Sequence, residues 1–503
     1  MILSVDFGTS VTKVALWGGG GLAALARSEL VTTYPNVGWT EQDPLRWWTT
    51  VVIACAEARA MAPAAFGEVD VVVCSGARQT FVPVTAEGNP VGKGILWSDR
   101  RGAAQSRALA ERMGGDDINR ARTGIPLDAA SVAGKLAWLA DNEPERLESA
   151  HALLSPRDFI VHRMTDQWVT DVTFASRSGL YDFDGNAVRE LAGPALGKLP
   201  SVVPSDSIVG QLKSVPGAEL GLKPGIPVVI GAGDRQCEVL GSGASEDRPM
   251  VSWGTTANVS VPVHERPVPS PAGAVVPRAA GGGWLLEGGL SAAGSFLAWL
   301  GRLLDRTPNE LATLASNSPP GARGVVAVPW LDGARAPWWR DDARAGFMGL
   351  GAAHRADDLA RAVIESVAWD VLRVMEVVTV GRLGGSSAEG VTLGGAGTSL
   401  PLWVEVLTSV LGVPAIRRRS GEAACAGAAL LAGRALGMNL TLDEIDPVAA
   451  VIEPDAKAVE LYRRLRSQVD HVAVSVLVAT ESLPEPESAR EPERERPERS
   501  PAY

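Results

Sequence analysis

Short apolar runs rich in β-branched residues, each stopped by a glycine-bearing turn, alternate along this chain with helical patterns. Residues 2–5 and 12–17 read as strands on either side of a turn at Gly8, and 18–21 as a tight hairpin loop. Residues 43–61 read as a helix with Asp43 as N-cap and Pro44 at its first position. Residues 69–74 form a buried-strand pattern that delivers the chain to Arg78 and Gln79. Residues 81–84 and 94–97 read as further strands, with a turn at 87–90 between them. Residues 228–230 are a buried strand ending in a glycine-rich corner before Asp234, at the strand end where open α/β sheets bind ligands. Residues 391–393 run into Gly394, Gly395, Ala396, Gly397, Thr398 and Ser399, and a helix follows over 402–411. Residues 454–476 read as a helix. Beyond them Glu, Arg, Pro and Ser take over, so 480–503 is expected to be a disordered tail with nothing apolar to bury.

Two of these strand–turn–strand units are copies of one pattern. The first is Val5-Asp6-Phe7-Gly8-Thr9-Ser10-Val11, the second Val251-Ser252-Trp253-Gly254-Thr255-Thr256-Ala257. Glycine lets the backbone approach an anion, and the hydroxyls and turn N–H groups donate to it. A single Gly-Thr turn is common in hairpins. Here Gly8 and Gly254 lie 246 residues apart, about half the chain, which suggests two similar domains closing on one polyphosphate. Asp6 becomes Ser252 in the second copy, so only the first half carries a hard oxygen ligand for Mg²⁺. The run from Gly88 to Gly94 resembles a P-loop but is one residue short, with Gly94 where a Ser or Thr would bind Mg²⁺.

At 503 residues the chain is too long for one core, and two domains are expected. A net charge of −11 argues against nucleic acid as the main partner. The four cysteines have neither zinc-ligand nor disulfide-framework spacing, and the five histidines are isolated. No apolar run reaches the roughly 18 residues of a membrane helix, and no signal-peptide pattern follows Met1, which leads to the expectation of a cytoplasmic protein.

Over about residues 1–475 the chain resembles the FGGY family of carbohydrate kinases. The run Ala345-Gly346-Phe347-Met348-Gly349-Leu350, with Asp358-Leu359-Ala360-Arg361-Ala362-Val363-Ile364-Glu365 after it, fits that family's second signature. Leu331-Asp332-Gly333-Ala334-Arg335-Ala336-Pro337, Arg157-Asp158-Phe159-Ile160 and the segment from Thr170 to Arg177 are also similar to family segments. Around Lys135 and Trp138 the first signature departs from pattern, with Val132 where the family usually has Ser, Thr or Pro. The resemblance implies an α/β fold of two actin-like (ribonuclease H-like) domains with a cleft between them. It is the fold of sugar kinases, heat-shock chaperone ATPases and actin. An N-terminal domain over 1–243 would bind sugar and phosphate, and a C-terminal domain over 244–479 the nucleotide.

The resemblance also implies ATP-dependent phosphorylation of a small sugar or polyol, with Asp234 as catalytic base and Asp6 holding Mg²⁺. Gly8, Thr9, Ser10 and Lys13 would meet the β- and γ-phosphates from one side, and Gly254, Thr255 and Thr256 from the other. Gly394, Gly395, Ala396, Gly397 and Ser399 would lie along the nucleotide. Arg78, Gln79, Trp97 and Arg235 match sugar-contacting positions. Arg235 stands where xylulokinases and glycerol kinases usually carry Asn or Gln. Its charge points either to an acidic or phosphorylated acceptor or to a local pair with Glu238. A ketopentose is the expected acceptor, with glycerol, another polyol or a sugar acid as the alternative. A non-catalytic sugar-binding regulator is the reading from another class; a homodimer is left open.

Overall fold

The computed structural model describes residues 1–271, 273–379 and 388–481. Two six-stranded mixed sheets organise it. In the first, β1 (Ile2–Phe7), β2 (Val11–Gly18) and β3 (Gly21–Glu29) form an antiparallel meander, and β4 (Val71–Gly76) runs parallel to β1. An antiparallel edge strand, β5 (Ile208–Gln211), pairs with β6 (Pro227–Val229), which runs parallel to β4. The second sheet repeats the plan. Its meander is β7 (Met250–Trp253), β8 (Ala257–Val263) and β9 (Trp284–Leu290). Then come β10 (Val391–Gly394) and β11 (Ala415–Arg418) in parallel, and β12 (Val448–Ile452) as antiparallel edge. The two Gly-Thr turns join the first two strands of their meanders, so they occupy equivalent corners.

The helices that matter here are α1 (Pro44–Met61), α2 (Val132–Asn142), α3 (Asp234–Ser242), α4 (Gly294–Leu304), α5 (Ala356–Thr379), α6 (Pro401–Leu411), α7 (Ala423–Ala435) and α8 (Ala456–Thr480). Helix α1 starts where the sequence predicts, because the Asp43 carboxylate accepts the Leu45 N–H at 3.1 Å. Helix α8 runs past the expected end at 476. Ala473, Leu477 and Thr480 continue its buried stripe at helical spacing, so Thr480 belongs to the helix and not to the tail. The rest of the expected tail, 482–503, lies outside the described residues.

Each sheet has its own apolar core, one around Leu3, Trp47, Val72 and Ile160 and the other around Val251, Leu286, Phe296 and Val363. A third cluster ties the halves together. In it Cys425, Ala428 and Leu431 of α7 pack on Ile2, Val71 and Val229 of the first sheet. Helices α3 and α7 cross there without side chains between them. A Cβ on Gly427 would lie 1.9 Å from the Cys237 carbonyl, and one on Gly241 1.9 Å from that of Ala423. No helix among the described residues is long and apolar enough to cross a membrane.

Candidate active site

Asp234 is the first residue of α3, on a corner that other buried groups hold in place. Gly231 has φ 72°, and a Cβ there would overlap the Cys74 carbonyl, so only glycine fits the turn. The fully buried Arg157 guanidinium donates to the carbonyls of Ile230 and Gly231 at 2.9 and 3.0 Å, and pairs with Asp158 and Asp171. Those two motif segments of the sequence therefore brace the corner. Asp234 Oδ1 accepts the Arg235 N–H at 2.7 Å and lies 3.3 Å from Arg78 Nε. Its Oδ2 has no hydrogen-bond partner among the described residues.

Asp6, at the end of β1, is 5 % exposed and accepts from Ser75 Oγ at 2.7 Å. Burial pushes its pKa up to about 6 against the pull of Lys13 and Ser75, and Asp234 and Glu422 add to the rise. Lys13 is opposite Asp6 in the β1–β2 register, and its ammonium is held by Glu422 at 2.7 Å. Arg27 holds the other oxygen of that carboxylate. Burial works against the Lys13 charge, but Asp6 and Glu422 outweigh it and raise its pKa. In this conformation Lys13 thus faces a carboxylate carried by the second half.

The first turn is closed by Gly8 N–H to the Val11 carbonyl at 3.1 Å, and the second by Gly254 N–H to that of Thr256 at 2.9 Å. Helix α4 abuts the second turn, since the N–H groups of Ala293 and Ser295 both reach the Thr255 carbonyl. Ser10, Thr255 and Thr256 are exposed, with their hydroxyls open to solvent. Thr9 Oγ1 accepts the Trp97 indole N–H at 2.9 Å, which leaves its own hydroxyl proton to donate elsewhere.

One cavity of about 190 Å³ between the halves brings together Thr9, Arg78, Gln79, Trp97, Asp234 and Arg235 with Thr256 of the second turn. A larger space of about 390 Å³ near Phe183 and Arg278 is lined by part of the Thr170–Arg177 segment but by none of the candidate site residues. Gln79 holds φ 61°, a strained conformation for a non-glycine residue lining a cleft. Arg235 pairs with Glu238 at 2.6 Å, the local pair the sequence left open, and Ser252 Oγ donates to the same carboxylate at 2.7 Å.

The segment from Gly394 to Ser399 lies apart from that cavity, against Trp253. A Cβ on Gly395 would come within 2.4 Å of the Trp253 carbonyl, and one on Gly397 within 2.1 Å of its ring. Packing on this buried Trp alone therefore requires both glycines. Ser399 Oγ is engaged locally, donating to the Ala396 carbonyl at 2.8 Å.

Sequence reasoning gave no role to Glu287, Arg177, Arg335 or Trp339, which line the same cavity. Glu287 is the one charge in the apolar strand β9, a signal that a buried partner must exist. That partner is Arg78, at 2.8 Å.

The residues present fit Mg²⁺ and a nucleotide. Asp6 is a buried carboxyl whose charged form burial disfavours, and a bound cation would favour that charged form. Among the described residues no group of three or more acidic, His or Cys side chains forms a preformed metal cage. Mg²⁺ is commonly held by one or two carboxylates together with substrate phosphates and water.

Comparison with known proteins gives a family. Residues 1–241 match the model for the N-terminal domain of the FGGY family of carbohydrate kinases, and residues 250–436 that for its C-terminal domain. A glycerol kinase of Trichlorobacter lovleyi is 32% identical over 464 residues, spanning 87% of this chain and 90% of that protein. Glycerol kinase 2 of Streptomyces avermitilis is 30% identical over 468 residues, 88% of this chain and 90% of its own. Among solved structures, a xylulose kinase from Lactobacillus acidophilus has a TM-score of 0.87 at 22% identity, covering 95% of this chain and 99% of its own. The Plasmodium falciparum glycerol kinase with ADP scores 0.83 at 21% identity, covering 95% and 98%. The structural likenesses bear on the fold.

Proposed function

This chain belongs to the FGGY family of carbohydrate kinases, a sugar kinase with two actin-like domains that uses ATP, and on that premise we propose how its cleft carries out the transfer. Asp234 is the base. The observation that carries this is its unpartnered Oδ2, in a cleft that also holds one threonine from each Gly-Thr turn. An acceptor hydroxyl at Oδ2 gives its proton to Asp234 as its oxygen bonds to the γ-phosphorus. The bond from that phosphorus to the β–γ bridging oxygen breaks, and ADP leaves.

Domain 1–243 supplies the acceptor pocket, with Arg78, Gln79, Trp97 and Arg235 around the sugar and the Gly8-Thr9-Ser10 turn on the phosphates. Domain 244–479 supplies Gly254, Thr255 and Thr256 opposite, and Gly394, Gly395, Ala396, Gly397 and Ser399 along the nucleotide. Lys13 joins the phosphates when it swings from Glu422. Asp6 holds Mg²⁺, which when bound neutralises charge on the β- and γ-phosphates. Closure of the halves over the acceptor excludes water, so ATP is not hydrolysed instead.

The acceptor is a small polyhydroxylated compound. The xylulose kinases among the structural neighbours support the ketopentose reading, and the glycerol kinases among the sequence relatives support a shorter polyol. ADP release from Mg-ATP against ketopentoses, polyols and sugar acids tests the function. Acceptor-dependent release that Asp234→Asn lowers by about 10²-fold or more is expected. Release indifferent to every acceptor would make the protein an ATPase, and an unimpaired Asp234→Asn would remove Asp234 as base.

A further inference from the structure

The acceptor cavity contains more cationic donors than the chain itself satisfies. Arg78, Arg177, Arg235 and Arg335 line it, against the carboxylates of Asp128, Asp234 and Glu287. Two of the four arginines are fully engaged: Arg78 by Glu287 and Asp234, Arg235 by Glu238. The other two are not. Arg177 Nε is buried without a hydrogen bond, and its nearest carboxylate oxygen, on Glu287, is 3.7 Å away. The Arg335 side chain has no hydrogen-bond or ion-pair partner among the described residues.

These two guanidiniums also oppose each other. Burial, then the charges of Arg78 and Arg335, push the Arg177 pKa down to about 10, although Glu287 and Asp128 pull the other way. Trp339 adds a further donor, since its indole N–H is buried without an acceptor and its backbone is held at φ 51°. The loop carrying Arg335 and Trp339 is fastened to β9 by Ala336 N–H to the Gly289 carbonyl at 3.1 Å, and to the residue just after β9 by Ser291 Oγ to the Gly333 carbonyl.

A neutral polyol would occupy this end poorly. Its hydroxyls donate as well as accept, and it brings no charge to offset two cations that line one cavity and repel each other. A carboxylate only accepts, and it takes charge-assisted bonds from a guanidinium fork. We propose that the acceptor is a small polyhydroxy acid, its carboxylate between Arg177 and Arg335 and a distal hydroxyl at Asp234. This rests on the kinase reading above. A phosphorylated sugar would offer the same oxyanion chemistry. A carboxylate leaves more of the roughly 190 Å³ for the carbon chain and its hydroxyls.

The test is initial-rate kinetics on the full chain with Mg-ATP and acceptors matched in carbon number: xylonate, xylitol, xylulose and xylulose 5-phosphate, then glycerate against glycerol and gluconate against glucitol. An acid is expected to exceed its neutral counterpart in kcat/KM by about 10- to 100-fold. Arg335→Gln, at a side chain that anchors nothing in the fold, should raise KM for the acid by a similar factor, with a smaller change in kcat and little effect on a neutral acceptor. Neutral acceptors matching or beating the acids would overturn the proposal and leave the kinase standing. So would turnover of the sugar phosphate alone, or an Arg335→Gln effect equal on acid and neutral acceptors. Absence of acceptor-dependent turnover throughout would remove the kinase reading itself.

Discussion

Arg78 and Glu287 face each other across the cleft with their charged ends 2.8 Å apart, one from each half of the chain. Both are largely buried and line the cavity between the halves, so the pair is a strut between the two sheets. Burial raises the Glu287 pKa, but Arg78, Arg177 and Arg235 more than offset it and hold the carboxyl below the usual carboxylate range. A depressed carboxylate contributes stability above its unfolded pKa, and that contribution is lost as pH falls through the folded value. Glu287→Gln should therefore lower stability by about 3 kcal/mol at neutral pH, since it leaves the buried Arg78 with only its 3.3 Å contact to Asp234 and takes from Arg177 its nearest carboxylate. Melting curves of both proteins should converge as pH drops below about 4. A gap that persisted or widened in acid would mean the pair is not the cause.

The sequence was most legible where chemistry is local. The two Gly-Thr turns, as strand–turn–strand units, and the Asp43 cap depend on residues within a few positions, and both form as the sequence predicts. The corner before Asp234 forms too, but Arg157 and Cys74, far away in the chain, hold it. Strand β4 starts at Val71, two residues after the expected start, because the Asp70 N–H bonds the Met1 carbonyl outside the ladder. What the sequence could not show was contact across the seam. Lys13 and Glu422 are 409 residues apart, and Arg78 and Glu287 209. No periodicity encodes either pair. The glycines at 395 and 397 were expected along a nucleotide, and only the position of Trp253 shows that packing by itself demands them.

Lys135 is a positioning residue whose signal in the sequence was a motif without a mechanism. Its buried ammonium donates to the carbonyl of Gln79 at 3.1 Å and of Leu96 at 2.9 Å, which sets both the strained Gln79 and the residue before Trp97. Burial lowers its pKa to about 8. The folded state thus penalises the charged form below that pH, and stability from this group rises as pH climbs from about 8 to 10. Lys135→Met would leave two buried carbonyls unsatisfied, a loss of about 1–3 kcal/mol. The acceptor KM should rise about 10-fold, with the KM for ATP unchanged, because the lysine braces only Gln79 and the residue before Trp97, both on the proposed acceptor side. An equal rise in both would show a general loss of fold instead.

Asp6 predicts a conflict between stability and activity. A carboxyl raised to about 6 binds its proton more tightly in the folded state, so its contribution to stability falls as pH rises from about 4 to 6 and stays lost above. The shift corresponds to roughly 3 kcal/mol at neutral pH. Asp6→Asn, without nucleotide, should melt higher than wild type at pH 7 and show no such advantage at pH 4. Its turnover with Mg-ATP should fall by at least about 100-fold if Asp6 holds the metal. A variant less stable at both pH values would show that the Ser75 and Lys13 contacts, and not burial of charge, dominate at this position.

The crossing of α3 and α7 gives the last expectation. Gly427 and Gly241 let the two backbones touch, and α3 starts with Asp234. A methyl group at 427 would meet backbone, which cannot rotate away, so the helices must separate by more than an ångström. Gly427→Ala should cost about 2–4 kcal/mol. Any folded fraction should bind ATP but turn over slowly, because the displaced α3 would carry Asp234, the proposed base, out of position, and small misplacements cost about 100-fold. Gly241→Ala should behave alike, and the double variant should cost less than the sum, since one separation relieves both contacts. Active-site titration alongside thermal melts distinguishes the two effects. Full specific activity per folded molecule would mean that the seam sets stability alone and leaves the catalytic corner where it is.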